Sequence, residues 1–438
     1  MQNASLLSIK GWLQEVTNKF YHPNRWYCKL EVNQLFFYND EDDNSIPVKV
    51  IPMDQIENVD QLIDTSLPGF SLKVQNQESN TKLFCKNVHE AERWICALKV
   101  KPTDHRININ DFKILKLIGE GFGGKVFLAR MKTNGKLFAI KAIDKERMLC
   151  KGNESRLVAE RNILMRAKHQ FITRLFYAFQ DSNQCYLVLE YVAGGDLRYH
   201  LENQSLRFSK EQIRLYLAEI IVALRTLHKM GIIYRDLKPE NILLDLKGHI
   251  KLADFGLSRQ VDPGKDCKSL CGTFEYLAPE MIKNENQTFC IDYWALGILS
   301  YRLIVGYMPF QSGNKRILFN KIKESPVRFP QNIDPVSVSF ISALLEKDPT
   351  KRLGSIGTNI LLHPFFAGID WNLVSKMQTK PEFIPYISKD DSVSNFCEEI
   401  TSRPVPNNLS RVSDPKSFLY VRSFSFVDKI DTNNSFES

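Results

Sequence analysis

Tyr234-Arg235-Asp236-Leu237-Lys238-Pro239-Glu240-Asn241, followed by Asp254-Phe255-Gly256, is the stretch of this 438-residue chain that decides the fold. It gathers carboxylates, an ammonium group and an amide within a short span, and carboxylate and amide oxygens are hard donors suited to a hard divalent cation. Upstream, the strand-like run Ile114 to Ile118 enters Gly119-Glu120-Gly121-Phe122-Gly123-Gly124-Lys125-Val126, and a second strand-like run follows. Glycines in such a hairpin let backbone N–H groups approach phosphate oxygens without side-chain obstruction. A dinucleotide-binding turn would instead open a helix and place an acid about 20 residues on. The residue 22 positions after Gly119 is Lys141, in Phe138-Ala139-Ile140-Lys141. A lysine suits triphosphate oxygens, where an acid would suit a ribose.

Downstream, Ala278-Pro279-Glu280 completes an ordered set that resembles the protein kinases over residues 112–366. The resemblance implies a bilobal fold, ATP as donor and Mg²⁺ as its companion ion. Phosphoryl transfer passes through a loose transition state with its charge on phosphate oxygens, so catalysis is mainly positioning and charge neutralisation. By resemblance, Lys141 holds the α- and β-phosphates and pairs with a helical glutamate. Glu160 is assigned because it shares a face with Leu157 and Leu164, which Arg161 does not. The family further implies that Gly119, Gly121, Gly124, Val126, Ala139, Glu190, Val192, Asp196 and Leu243 line the nucleotide pocket. Asn241 and Asp254 would hold the metal, Asp236 would accept the substrate hydroxyl's proton, and Lys238 would steady the γ-phosphate. A lysine two residues after the catalytic aspartate accompanies Ser/Thr specificity. Glu280 and Asp292 are expected to tie the large lobe together, Glu280 in a buried pair with Arg352. The rival reading is a catalytically dead scaffold, and the joint presence of Lys141, Glu160, Asp236, Asn241 and Asp254 argues against it.

Lys268-Ser269-Leu270-Cys271-Gly272-Thr273-Phe274-Glu275 resembles the activation loop of the AGC group, which contains protein kinases A, B and C. That implies an upstream kinase acting on Ser269, with the phosphate, of about −2 charge, received by Arg156, Arg235 and Arg259. In the tail, Phe396-Cys397-Glu398-Glu399 resembles the segment that crosses the nucleotide pocket. Phe424-Ser425-Phe426 resembles the hydrophobic motif that docks on the small lobe. Ser425 and Ser413 are expected as further phosphosites. Four features depart from the family: Phe122-Gly123 reverses the loop-tip order, Val421 replaces the motif's first aromatic, Cys397 replaces an aspartate, and Arg302 replaces a glutamate. Asp196 and Glu240 match positions that hold an arginine three residues before the acceptor through guanidinium–carboxylate pairing. Basic-context protein substrates are therefore expected, while Arg302 removes the usual partner of an arginine two residues before the acceptor.

In the first hundred residues, Trp26, Cys28, Leu30 and Val32 alternate with Tyr27, Lys29 and Glu31, the period of a half-buried strand. From His89 to Val100 the pattern changes, and Ala91, Trp94, Ile95 and Leu98 form one apolar helical face. Strands closed by one helix predict a small α+β barrel. With Lys10-Gly11-Trp12-Leu13 on the first strand, Arg25-Trp26-Tyr27 on the second and Trp94 on the helix, the region resembles a pleckstrin-homology (PH) domain. The order of parts resembles the protein kinase B family: PH domain 1–101, linker 102–111, kinase domain 112–366 and regulatory tail 367–438. Lys19 and Arg25 could meet phosphoinositides, but residues 1–101 carry 11 basic against 13 acidic side chains. An anionic leaflet contributes only roughly 1 kcal/mol per nearby cation. A lipid-binding and a protein-binding or autoinhibitory module both remain open.

With 43% hydrophobic and 25% charged residues, the composition is that of folded globular domains. No apolar run approaches the roughly 20 residues of a membrane span. Gln2 and the final Phe436-Glu437-Ser438 provide neither a myristoylation nor a prenylation site. A net charge of +8 without long basic runs gives no expectation of nucleic-acid binding. The nine cysteines lack the paired spacing of zinc sites and read as reduced thiols. A monomeric cytoplasmic protein, recruited at most reversibly to the plasma membrane, is expected.

Overall fold

The computed structural model describes residues 9–16, 24–31, 34–42, 45–62, 67–75, 79–99, 107–121, 123–149, 154–181, 183–202, 208–261, 268–405, 421 and 424–428. Two compact units, Met1–Ile107 and Asn108–Ser438, divide the chain. Asn108 lies in the second unit, where its side chain and that of Asp111 form a reciprocal cap on the turn Ile109–Asp111.

The first unit contains strands β1 (Ile9–Val16), β2 (Asn24–Glu31), β3 (Gln34–Tyr38), β4 (Lys49–Pro52), β5 (Ile56–Gln61), β6 (Gly69–Val74) and β7 (Thr81–Phe84), then helix α1 (Val88–Lys99). The strands form one antiparallel sheet in the order β4-β3-β2-β1-β7-β6-β5. Alternation delivers Cys28 and Leu30 to a core with Leu13, Phe37, Phe70 and Leu83, and α1 adds Ala91, Trp94, Ile95 and Leu98, as its spacing predicts. No pairing joins β4 to β5 among the described residues. One expectation is modified. Tyr27 and Lys29, expected on the polar face, are buried, the ammonium lying 5.6 and 5.0 Å from the Tyr27 and Tyr38 rings.

In the second unit, β8 (Phe112–Gly121), β9 (Gly124–Met131), β10 (Leu137–Asp144), helices α2 (Lys145–Leu149) and α3 (Glu154–Arg166), β11 (Leu175–Gln180) and β12 (Gln184–Glu190) build the small lobe. The large lobe follows with α4 (Leu197–Glu202) and α5 (Lys210–Lys229). Two short pairs come next, β13 (Ile232–Ile233) with β16 (Arg259–Gln260) and β14 (Ile242–Leu244) with β15 (Ile250–Leu252), and after them α6 (Pro279–Ile282) and α7 (Cys290–Val305). Ile213, Leu217, Ile220, Ile221, Leu224 and Leu227 make α5 a core helix, all of them buried. Arg352 and Glu280 form the expected buried pair, with bidentate contacts of 2.6 and 2.9 Å.

The described residues of the tail pack on the second unit's lobes. Tyr191 Oη donates to the Ser392 carbonyl at 2.7 Å, and Phe396 stacks on Tyr191 at 6.0 Å between centroids. Arg403 then reaches Glu120 on β8. The segment thus runs from the strand-12 exit to the glycine hairpin. Farther on, β17 (Phe426–Val427) pairs antiparallel with β11 and completes the sheet β17-β11-β12-β10-β9-β8. Val421 and Phe424 are buried in the core, and Gln180 meets both backbone groups of Val421, at 2.7 and 3.0 Å.

Candidate active site

Strand pairing brings the small lobe's polar groups together. On β10, Lys141 lies opposite Val126 of β9 and Leu187 of β12. Its Nζ donates to Glu160 Oε1 at 2.7 Å and Asp254 Oδ1 at 2.8 Å. Burial works against the ammonium, but the two carboxylates outweigh it and hold Lys141 well above the ordinary lysine range. Reciprocally, Lys141 depresses the Asp254 carboxyl against its burial. Asp254 keeps 46% of its side chain exposed, in contrast with 6% for Lys141 and Glu160, so it is the member of the trio open to a ligand. On α3, Leu157 and Leu164 are buried with Glu160 as expected. Arg161 is buried too, which the one-face reading of that helix did not foresee.

The glycine hairpin reaches the same point. Gly124 has φ +126°, and a Cβ there would stand 2.3 Å from the Ala142 carbonyl oxygen, so only glycine fits. A Cβ on Gly123 would lie 3.1 Å from Lys141 Nζ. Gly123 is therefore the hairpin glycine nearest the ammonium, although the sequence reading singled out Gly119, Gly121 and Gly124. Phe122 lies outside the described residues.

In the large lobe, Asp236 Oδ2 accepts from Lys238 Nζ and from Asn241 Nδ2, both at 2.8 Å. Lys238 also donates to Thr273 Oγ1 at 3.2 Å. Burial raises the Asp236 carboxyl while Lys238 and Asn241 pull it back. This loop is held in place by Asp292, fully buried, which accepts from the N–H groups of Tyr234 (2.9 Å) and Arg235 (2.8 Å) and pairs with His228 at 2.8 Å. Asp292 is thus structural, as expected. Arg235 and Asp254 have φ of +66° and +53°. Such non-glycine conformations cost on the order of 1–3 kcal/mol and persist where the surroundings impose them. A shallow concavity beside Asp236 is lined by Gly272, Thr273, Tyr276 and Leu277.

The donor set fits Mg²⁺. Asp254 offers a half-exposed carboxylate, and Asn241, whose amide nitrogen is committed to Asp236, has its carbonyl oxygen left as a hard donor. Other expected pocket residues are placed as follows. Ala139 and Val192 are buried; Asp196 bridges to Leu243; and Glu190 directs its carboxylate to Lys251 at 3.0 Å. The expected phosphate receivers sit on three different segments. Arg156 and Arg259 are exposed, and Arg235 donates through Nε to the Leu257 carbonyl at 2.6 Å, with its buried Nη1 unpartnered. Ser269 is half-buried, its hydroxyl toward Cys271 Sγ at 3.2 Å and its carbonyl accepting from Gln287. Ser413 and Cys267 lie outside the described residues.

Asp428 was absent from the sequence reading. It is 2% exposed, accepts from Arg174 Nε and Nη2 at 2.9 and 2.7 Å and from Lys168 at 3.0 Å, and donates its N–H to the Phe176 carbonyl. Burial opposes its charge, but Lys168 and Arg174 hold the carboxyl below the ordinary range.

A charged trio under a glycine hairpin, facing an aspartate–lysine–asparagine loop across two lobes, defines a phosphotransferase cleft. The protein kinase domain family matches residues 112–366, and the chain belongs to it. More narrowly, it is an AGC-type serine/threonine protein kinase. It is 39% identical over 327 residues to a probable serine/threonine-protein kinase of Dictyostelium discoideum, covering 74% of this chain and 70% of that one. It is 39% identical over 320 residues to Sgk1 of Danio rerio, covering 72% and 73%. Against YPK2/YKR2 of Saccharomyces cerevisiae, identity is 40% over 304 residues, covering 69% of this chain but 45% of the relative.

Proposed function

We propose that the chain transfers the γ-phosphate of Mg·ATP to serine or threonine in proteins that present an arginine before the acceptor. The observation that carries this reading is the double contact of Lys141 with Glu160 and Asp254, which links both lobes through one ammonium group. In that arrangement Lys141 neutralises phosphate oxygens, and Asp236 takes the proton of the acceptor hydroxyl while Lys238 stays beside it. Asp254 and Asn241 would hold Mg²⁺, which would supply charge neutralisation at the phosphate oxygens. Asp196 and Glu240 receive the substrate guanidinium. Phosphorylation of Ser269 by an upstream kinase supplies charge to Arg235, whose buried Nη1 is unpartnered. Ser425, beside buried Phe424, is a second regulatory phosphosite.

The first unit acts as a PH-type regulatory module that brings the cytoplasmic chain reversibly to phosphoinositide-bearing membrane. Its contact is weak, because Arg25 is already stacked 4.6 Å from the Trp12 ring. Radiolabelled ATP with a basic serine peptide tests the catalytic reading: phosphate should appear on the peptide with wild type and not with Asp254→Ala. Liposome sedimentation with and without phosphoinositide tests the membrane reading; wild type that sediments equally with both liposomes would reject it.

A further inference from the structure

The substrate-facing acids come with a cation of their own. Asp196 precedes the short helix α4 and is fixed there by accepting from the Tyr199 N–H at 2.8 Å, while its backbone bridges to Leu243 just beyond Glu240. Arg198, two residues on, donates through Nε to Glu202 Oε1 at 2.6 Å, and its Nη1 lies 3.6 Å from Glu240 Oε1. Among the described residues one guanidinium therefore serves a group of three carboxylates, Asp196, Glu202 and Glu240, which leaves the group short of positive charge. Among the same residues Glu240 Oε2 is buried without a partner, and burial together with the charges of Glu240 and Glu202 pushes the Asp196 carboxyl up to about 6, against the Tyr199 N–H and Arg198.

We propose that Arg198 is a specificity-determining residue: it occupies part of the carboxylate group from within the chain and competes with the substrate's arginine for Glu240. The inference rests on the basic-substrate reading above and deepens it. A guanidinium that already contacts Glu240 lowers the net attraction on an incoming one, and a partner left on the rim is displaced at small cost, since Arg198 is 51% exposed. The consequence is a kinase that takes arginine-bearing substrates with moderate discrimination, a property set by this one side chain.

The test compares kcat/KM of the full chain on two serine peptides, identical except that one carries arginine and the other norleucine before the acceptor. The ratio of the two values reads discrimination alone. Arg198→Ala should raise the ratio about 2- to 5-fold, the range of an exposed ion pair. Arg198→Glu should raise it further, and Arg198→Lys, which keeps the charge, should stay near wild type. The change should fall in the KM of the arginine peptide. A ratio that prefers arginine in wild type but does not move through the lysine, alanine and glutamate series overturns the role of Arg198 alone. A ratio near unity in all four proteins overturns the basic-substrate reading and Arg198's role with it.

Discussion

Two charge clusters face the same cleft and differ in how complete they are. Around Lys141 the contacts are short and buried, and the lysine and Glu160 each retain 6% exposure. Around Arg198 the contacts are solvent-exposed, with side chains 51% and 55% accessible in the Arg198–Glu202 pair, and acids outnumber the base. The first cluster fixes geometry, because moving Lys141 or Glu160 strands a charge in low dielectric. On the proposal above, the second tunes affinity for substrate, because its members can exchange partners at the rim.

The sharpest way to break the comparison is at the proton acceptor. Asp236→Asn keeps the hydrogen bonds of the loop in shape but removes the base, and kcat should fall by about 10²- to 10⁴-fold. Radiolabel transfer measures that, and an unchanged circular dichroism spectrum shows that the fold survives. A fall under tenfold would mean that Asp236 is not the acceptor. Next comes the interior pair. Lys141→Ala leaves Glu160 buried and unpaired, which should cost about 3–5 kcal/mol in urea denaturation as well as activity. The matched change Arg198→Ala should leave the denaturation midpoint nearly unmoved, and equal losses from both variants would erase the distinction between the clusters.

A third site lies between these extremes. Asp428 is buried but its partners are not, Arg174 and Lys168 being 33% and 48% exposed. Asp428→Asn should weaken docking of the tail strand by about 1.5–3 kcal/mol, the range for hydrogen bonds to charged groups. Hydrogen exchange at the β11–β17 pairing should report it, with the Val427-facing amides losing protection first. Unchanged protection would show that Phe424 and Val421 alone hold the strand.

How much of this was legible in the sequence follows from what fixes each residue. Lys141, Asp236, Asn241 and Asp254 could be named because their motifs resemble those of the protein kinases, and Glu160 because it shares a face with Leu157 and Leu164, although Arg161 is buried as well. The closing helix of the first unit followed from apolar periodicity alone. Arg198 could not be found that way. Its meeting with Glu240 depends on the bridge between Asp196 and Leu243, which no local pattern encodes. Likewise β17 is two residues long, too short for any period, and exists because β11 offers an edge. Gly123 was passed over because its importance lies in a distance to Lys141 and not in the spacing of glycines.

The smallest expected effect concerns pH and separates binding from stability. Asp196 titrates near pH 6, raised first by burial and then by Glu240 and Glu202, so between pH 7.5 and 5 it passes from mainly ionised to mainly protonated. Losing that charge weakens the pull on a substrate guanidinium, and the KM of an arginine peptide should rise about 2- to 5-fold over the interval. The norleucine analogue should change less. The stability contribution has the opposite sign. A carboxyl raised above its unfolded value favours the folded state when protonated, so this contribution is fully present below about pH 4 and is lost as the pH rises through 6. Asp196→Asn should therefore abolish the pH dependence of the KM ratio without lowering the denaturation midpoint at pH 7.5. A ratio that still changes between pH 7.5 and 5 in that variant would place the titrating group elsewhere in the cleft.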